Sequence, residues 1–94
     1  MPSSGPDCRP QVKLLNGKCF KINCGFYNAG HVLASTHAGN VFACTRACSK
    51  ITNCIYAVFD RGTGQCDSLD STSMGDKKNT GYDLGELTAL DQCG

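Results

Sequence analysis

The chain predicts an α+β fold: a small, disulfide-rich single domain in which one helix packs on antiparallel strands. Three observations predict it. Eight cysteines stand among 94 residues, about the density at which a disulfide scaffold is the default reading. The stretch from Val41 has helical periodicity. Two segments, Asn16-Gly17 and Asp60 to Gly64, carry hairpin-turn chemistry between apolar runs.

The helix is the organising element. Val41, Cys44, Cys48 and Ile51 follow the i, i+3, i+4 rule and share one face. Thr45, Arg46, Ser49 and Lys50 are expected to point to water. Asn40 is placed to cap the N-terminus. After Cys54, the run Ile55 to Phe59 is apolar, with β-branched and aromatic members, and suits a central strand. Asp60 to Gly64 turns the chain, and Gln65 to Leu69 returns as its partner strand. A helix with two thiols therefore meets a sheet with two more.

Upstream, Val12, Leu14 and Leu15 precede the Asn16-Gly17 turn, and Phe20 and Ile22 follow it, which makes a first hairpin. In Cys19 to Cys24, alternation puts Phe20, Ile22 and Cys24 on one face and Cys19, Lys21 and Asn23 on the other. Cys19 and Cys24 should thus reach different partners. Residues 1–7 read as a disordered Pro/Ser/Gly tail ahead of a domain spanning 8–94. Gly25 to Gly39 and Asp70 to Gly81 read as loops, and Tyr82 to Leu90 as a last strand anchored by Leu84, Leu87 and Leu90. Cys93 clamps the end.

A chain this short has a marginal core of its own. Each bridge contributes ~2–4 kcal/mol, mainly by restricting the unfolded chain. Bridges on this scale imply an oxidising compartment and secretion. Met1 to Pro6 has no apolar core and is not a signal peptide, so a mature secreted form with an added Met is expected. No segment has the length and apolarity of a membrane span. Net charge is +1, which gives no general attraction to nucleic acid. Residues 1–59 nevertheless carry +5 and residues 60–94 carry −4. Interleaving of the two halves in the fold neutralises that division; a polarised surface would instead favour self-association.

The cysteines and their surroundings resemble the PAN/apple domain family. The matching residues are Phe20-Lys21-Ile22-Asn23-Cys24, the aromatic-Gly loop Tyr27-Asn28-Ala29-Gly30-His31, and Cys44-x3-Cys48-x5-Cys54 with the strand Ile55 to Phe59. Cys66 and the closing Gln92-Cys93-Gly94 complete the series. Ala29-Gly30-His31 stands where the family often has Gly-Gly-Asp. The opening Cys8 and the Asn16-Gly17 turn are similar to PAN-like domains of small secreted fungal proteins. The resemblance implies one helix on a curved antiparallel sheet of about five strands. It also implies bridges Cys44–Cys66 and Cys48–Cys54, with Cys19–Cys93 as a terminal clasp and Cys8–Cys24 as in the fungal variant.

The residues give little support to catalysis. Cys44-x3-Cys48 lacks zinc-knuckle spacing, and neither His31 nor His37 completes a ligand series. An even cysteine count leaves no nucleophilic thiol. Asp67, Asp70, Asp76, Asp83 and Glu86 lie in a turn-rich acidic half, where solvated carboxylates are commoner than a glycosidase pair. No calcium-loop pattern, metal or cofactor is implied. The expectation is a non-enzymatic binding module. Candidate binding residues are Tyr27, Asn28, His31 and His37 before the helix, and Lys77, Lys78, Asn79 and Tyr82 in or beside the long loop. Aromatic, amide and charged groups are what peptide and sugar sites use. Two functions follow: protein recognition, as by a fungal effector or elicitor at a host surface, and lectin-like carbohydrate binding. An unpaired sheet edge adds a homodimer to the expectations.

Overall fold

The computed structural model describes residues 8–70 and 75–94. The expected tail 1–7, and residues 71–74 of the expected long loop, lie outside them. The elements are β1 (Gln11–Leu15), β2 (Lys18–Tyr27), β3 (Val32–His37), α1 (Val41–Ser49), β4 (Tyr56–Asp60), β5 (Gln65–Leu69) and β6 (Lys77–Thr88), closed by a 3-10 turn at Leu90–Cys93. Six strands, against the five or so expected, form one antiparallel sheet in the order β1-β2-β6-β4-β5-β3.

The extra strand is β3, in a stretch read as loop because Val32 to His37 alternates weakly. Its side chains are mostly exposed, and its pairing with β5 comes from the backbone ladder rather than from apolar burial. The 70–81 segment is corrected too. Lys77, Lys78 and Asn79 already belong to β6, opposite the far end of β2. Leu90 is no anchor: it lies in the closing turn and is largely exposed.

Asn16 and Gly17 both take positive φ, 51° and 79°, as a two-residue hairpin turn demands. Asn40 caps α1 by accepting from the Ala43 amide at 2.9 Å. The buried arc of α1 is wider than the cysteine stripe, since Thr45 and Ser49 are buried rather than facing water. Two local features cause this. Gly85 on β6 leaves a slot under Thr45, whose hydroxyl donates to the Val41 carbonyl at 2.7 Å. The Ser49 hydroxyl donates to the Arg46 carbonyl and accepts from Asn16 Nδ2, tying the helix end to the first hairpin.

The bridges are Cys8–Cys24, Cys19–Cys93, Cys44–Cys66 and Cys48–Cys54, and they take up all eight cysteines. Cys19 and Cys24 reach different partners, as their opposite faces require. The main core lies between helix and sheet, around Phe20, Ile22, Val41, Ala57 and Phe59 with the cysteines of α1. The basic and acidic halves interleave: β2 lies beside β6, with Lys21 opposite Glu86.

Candidate functional site

Strand alternation places a second, smaller cluster on the face away from α1. Val58, Leu69 and Leu84 form its buried part, with Phe26 and all three tyrosines of the chain, Tyr27, Tyr56 and Tyr82, packed against them. An irregularity in the β2–β6 ladder shapes this face. Pairing jumps from Cys24↔Asp83 to Phe26↔Lys78, and Gly25 between them has φ +76°. Excess residues on one strand bend the ladder locally. The positive φ at Gly25 would strain any side chain placed there.

One buried ion pair fixes the bend. Asp83 is fully buried, and Arg61 grips it through Nε, at 3.0 Å from both carboxylate oxygens, and through NH2 at 2.6 Å. The Gly25 amide donates to the same carboxylate at 3.0 Å. The hydrogen bond to Asp83 raises the Arg61 pKa still further above its ordinary value. Asp83 thus joins the β4–β5 turn, β6 and the β2 bulge.

Beside this bend is a cleft of about 200 Å³ lined by Tyr27, Val58, Asp60, Gln65, Asp67 and Tyr82. Val58 is its apolar, buried member. The Tyr27 and Tyr82 rings lie 4.7 Å apart between centroids and are tilted by 59°. Burial raises the Tyr82 hydroxyl pKa, and the negative charges of Asp60 and Asp67 and the Tyr27 phenol raise it further. Asp60 Oδ1 accepts from the Gly62 and Thr63 amides, at 2.8 and 3.3 Å. Asp67 Oδ1 accepts from Ser35 Oγ at 2.8 Å and Gln65 Nε2 at 3.0 Å.

Of the eight binding candidates, the structure brings Tyr27 and Tyr82 together in this cleft. His37 lies on β3 opposite Gln65, at the margin of the same face. Lys77 and Lys78 are exposed on β6, opposite Tyr27 and Phe26. Asn79 Oδ1 is engaged by the Gly81 amide at 3.0 Å. His31 is apart from the cleft, exposed and 3.1 Å from Asp70. Asn28 is buried and donates to Asp76 at 2.5 Å, a supporting position behind the surface. The cleft residues Asp60, Gln65 and Asp67 were not singled out as binding groups in sequence. Their signal was period two: 58 and 60 on one strand, and 65 and 67 on its partner, share a face.

A second polar group surrounds Glu86. Asn23 Nδ2 donates to Glu86 Oε1 at 3.3 Å. Burial holds the Glu86 carboxyl above its usual range, nearby Asp76 pushes it further, and Lys21 pulls it partly back. Burial, Glu86 and Asp76 together raise the Tyr56 pKa.

The family model of the PAN domain matches residues 19–89. The chain belongs to the PAN domain family. The matched stretch takes in the helix, its two bridges and both linings of the cleft, while Cys8 and Cys93 bring two further bridges from outside it. PAN domains are modules that bind proteins or carbohydrates. Among curated proteins, none matches the chain. Among the described residues, no helix of this PAN domain is long and apolar enough to cross a membrane.

Proposed function

We propose that this PAN domain is a secreted recognition module that binds a protein partner through the Tyr27–Tyr82 cleft. The observation that carries the reading is the cleft itself, where two tyrosine rings, two carboxylates and an amide converge around the buried Val58. Polar groups held at fixed positions beside aromatic rings give orientation and specificity. Tyr27 and Tyr82 make direct contact in this reading. His37, Lys77, Lys78, Asn79 and His31 contribute at the periphery, and Asn28 supports the chain that carries Tyr27. Four bridges suit an extracellular setting. The resemblance of the opening Cys8, the Asn16-Gly17 turn and Phe20-x-Ile22-x-Cys24 to PAN-like domains of secreted fungal proteins is what supports an effector or elicitor role at a host surface in this reading. Both sheet edges, β1 and β3, present backbone that a second copy can pair with, so a homodimer belongs to the same proposal.

The test is a pull-down from host-surface extracts with the native chain and with Tyr82→Ala. Loss of the captured protein with the folded variant is the expected result; unchanged capture removes the cleft from the reading. A carbohydrate ligand is the second reading, favoured by the exposed Gln65 amide beside the tyrosine rings. A glycan array separates the two.

A further inference from the structure

The protein-binding reading leaves open what chemical group the cleft accepts. We propose that it receives a cationic side chain, a lysine ammonium or arginine guanidinium, displayed on the surface of the protein partner. The inference rests on the cleft being the binding site and names the group that enters it.

Charge is the first argument. Asp60 and Asp67 both line the cleft. The ion pairs among the described residues are His31–Asp70 and Arg61–Asp83, so neither cleft carboxylate is matched by a cation. Arg61, next in sequence to Asp60, is turned to Asp83 instead. Burial is the first cause of the raised Tyr82 pKa, and the negative charges of Asp60 and Asp67 add to it from inside the cleft.

Geometry is the second argument. Each carboxylate is held through Oδ1, by backbone amides at Asp60 and by a hydroxyl and an amide at Asp67. Among the described residues, both Oδ2 atoms remain without a hydrogen bond. Acceptors held in place before binding lower the ordering cost, and charge-assisted bonds to them are the strong kind. The two tyrosine faces offer cation–π contact. The carbon edges of the same rings, with Val58 in the cleft lining, give the methylene stem of a lysine or arginine its apolar contact.

A neutral ligand fits less well. An uncharged sugar filling the cleft returns hydroxyl hydrogen bonds to the two carboxylates but no counter-charge, and a desolvated charge is costly unless it is paired as well as hydrogen-bonded. A cation supplies that counter-charge.

The experiment is an NMR titration of the full chain with Nα-acetyl-lysine amide and Nα-acetyl-arginine amide, with Nα-acetyl-norleucine amide as the uncharged analogue. Expected are lysine- or arginine-dependent shifts centred on Tyr27, Gln65, Asp67 and Tyr82, weakened at least fivefold in Asp67→Asn and on raising salt from 50 to 300 mM. Gln65→Lys, at an exposed position, places a competing cation at the cleft and should weaken binding likewise, which guards against misfolding of the first variant. Equal shifts with norleucine, a tighter response to neutral methyl glycosides, or lysine and arginine shifts confined to other surfaces overturn the proposal. The two levels fail separately. If lysine and arginine both leave the cleft unmoved but Tyr82→Ala still loses the captured partner, the cationic group is wrong and the site stands. If Tyr82→Ala keeps the partner, the site is wrong.

Discussion

Thr45 of the helix stands directly over Gly85 of β6, so closely that a Cβ on Gly85 would overlap its hydroxyl and methyl groups. The glycine is what lets the helix settle on the sheet at this point. Gly85→Ala should therefore destabilise the domain by about 1–3 kcal/mol, the usual cost of overpacking. Thr45→Ala in the same chain should recover much of the loss, because it removes both of the nearest overlapping atoms. Urea unfolding of the two single variants and the double variant checks the coupling.

Much of the frame was legible because period and turn chemistry are local. The arc of Val41, Cys44 and Cys48, the Asn40 cap and the Asn16-Gly17 turn all appear where their residues put them. The four bridges follow the family resemblance. Thr45 and Ser49 are polar by sequence yet buried, because a glycine on a strand distant in sequence makes room for one hydroxyl and Asn16 bonds the other. Strand β3 was missed because an edge strand can be held by its ladder with little apolar patterning. The cleft was half legible. Tyr27 and Tyr82 were candidates, but Asp60 and Asp67 join them only through the β5-β4-β6 order and the bulge at Gly25, neither of which a sequence pattern displays.

The Arg61–Asp83 pair should be asymmetric to mutation. Arg61→Ala strands a fully buried carboxylate with, among the described residues, the Gly25 amide as its remaining donor. The cost should be about 3 kcal/mol, the lower end for breaking a buried pair, since Arg61 itself is partly exposed. Asp83→Asn should cost less, because Arg61 can turn to solvent. Denaturant midpoints of the two variants give the order; equal losses would contradict the role of Asp83 as the buried member.

Glu86 gives a pH dependence of definite sign. Its carboxyl pKa is raised in the folded protein, by burial first and Asp76 second. The folded state therefore holds this proton more tightly than the unfolded chain. The contribution is fully present below the unfolded value and is lost as pH rises through the folded value. Acidification from neutral pH toward the ordinary glutamate range should stabilise the domain through this residue. Glu86→Gln should raise the melting temperature at pH 7 and flatten that part of the profile. A melting series from pH 5 to pH 8 on both proteins checks it, and an unchanged slope in the variant would assign the dependence to other groups.

Asn28 and His31, three residues apart on the same connection, should respond in opposite ways. His31 is exposed, and its 3.1 Å contact with Asp70 is a surface interaction, of a kind worth about 0–1 kcal/mol. His31→Ala should leave stability within about 0.5 kcal/mol. Asn28 is buried, and its Nδ2 holds Asp76 at the start of β6 while its Oδ1 has no partner among the described residues. Asn28→Ala removes that tie, and because the exposed Asp76 is then met by water the cost is the net worth of one hydrogen bond, about 0.5–1.5 kcal/mol. Because Asn28 follows Tyr27, the same change should also loosen the ring that forms one wall of the cleft. The measurement is Tm together with the Tyr27 aromatic shifts for both variants. His31→Ala should leave Tm and ring shifts near native, and Asn28→Ala should lower the first and move the second. A stable Asn28→Ala with native Tyr27 shifts would instead make Asn28 a surface contact residue of the kind its sequence context suggests.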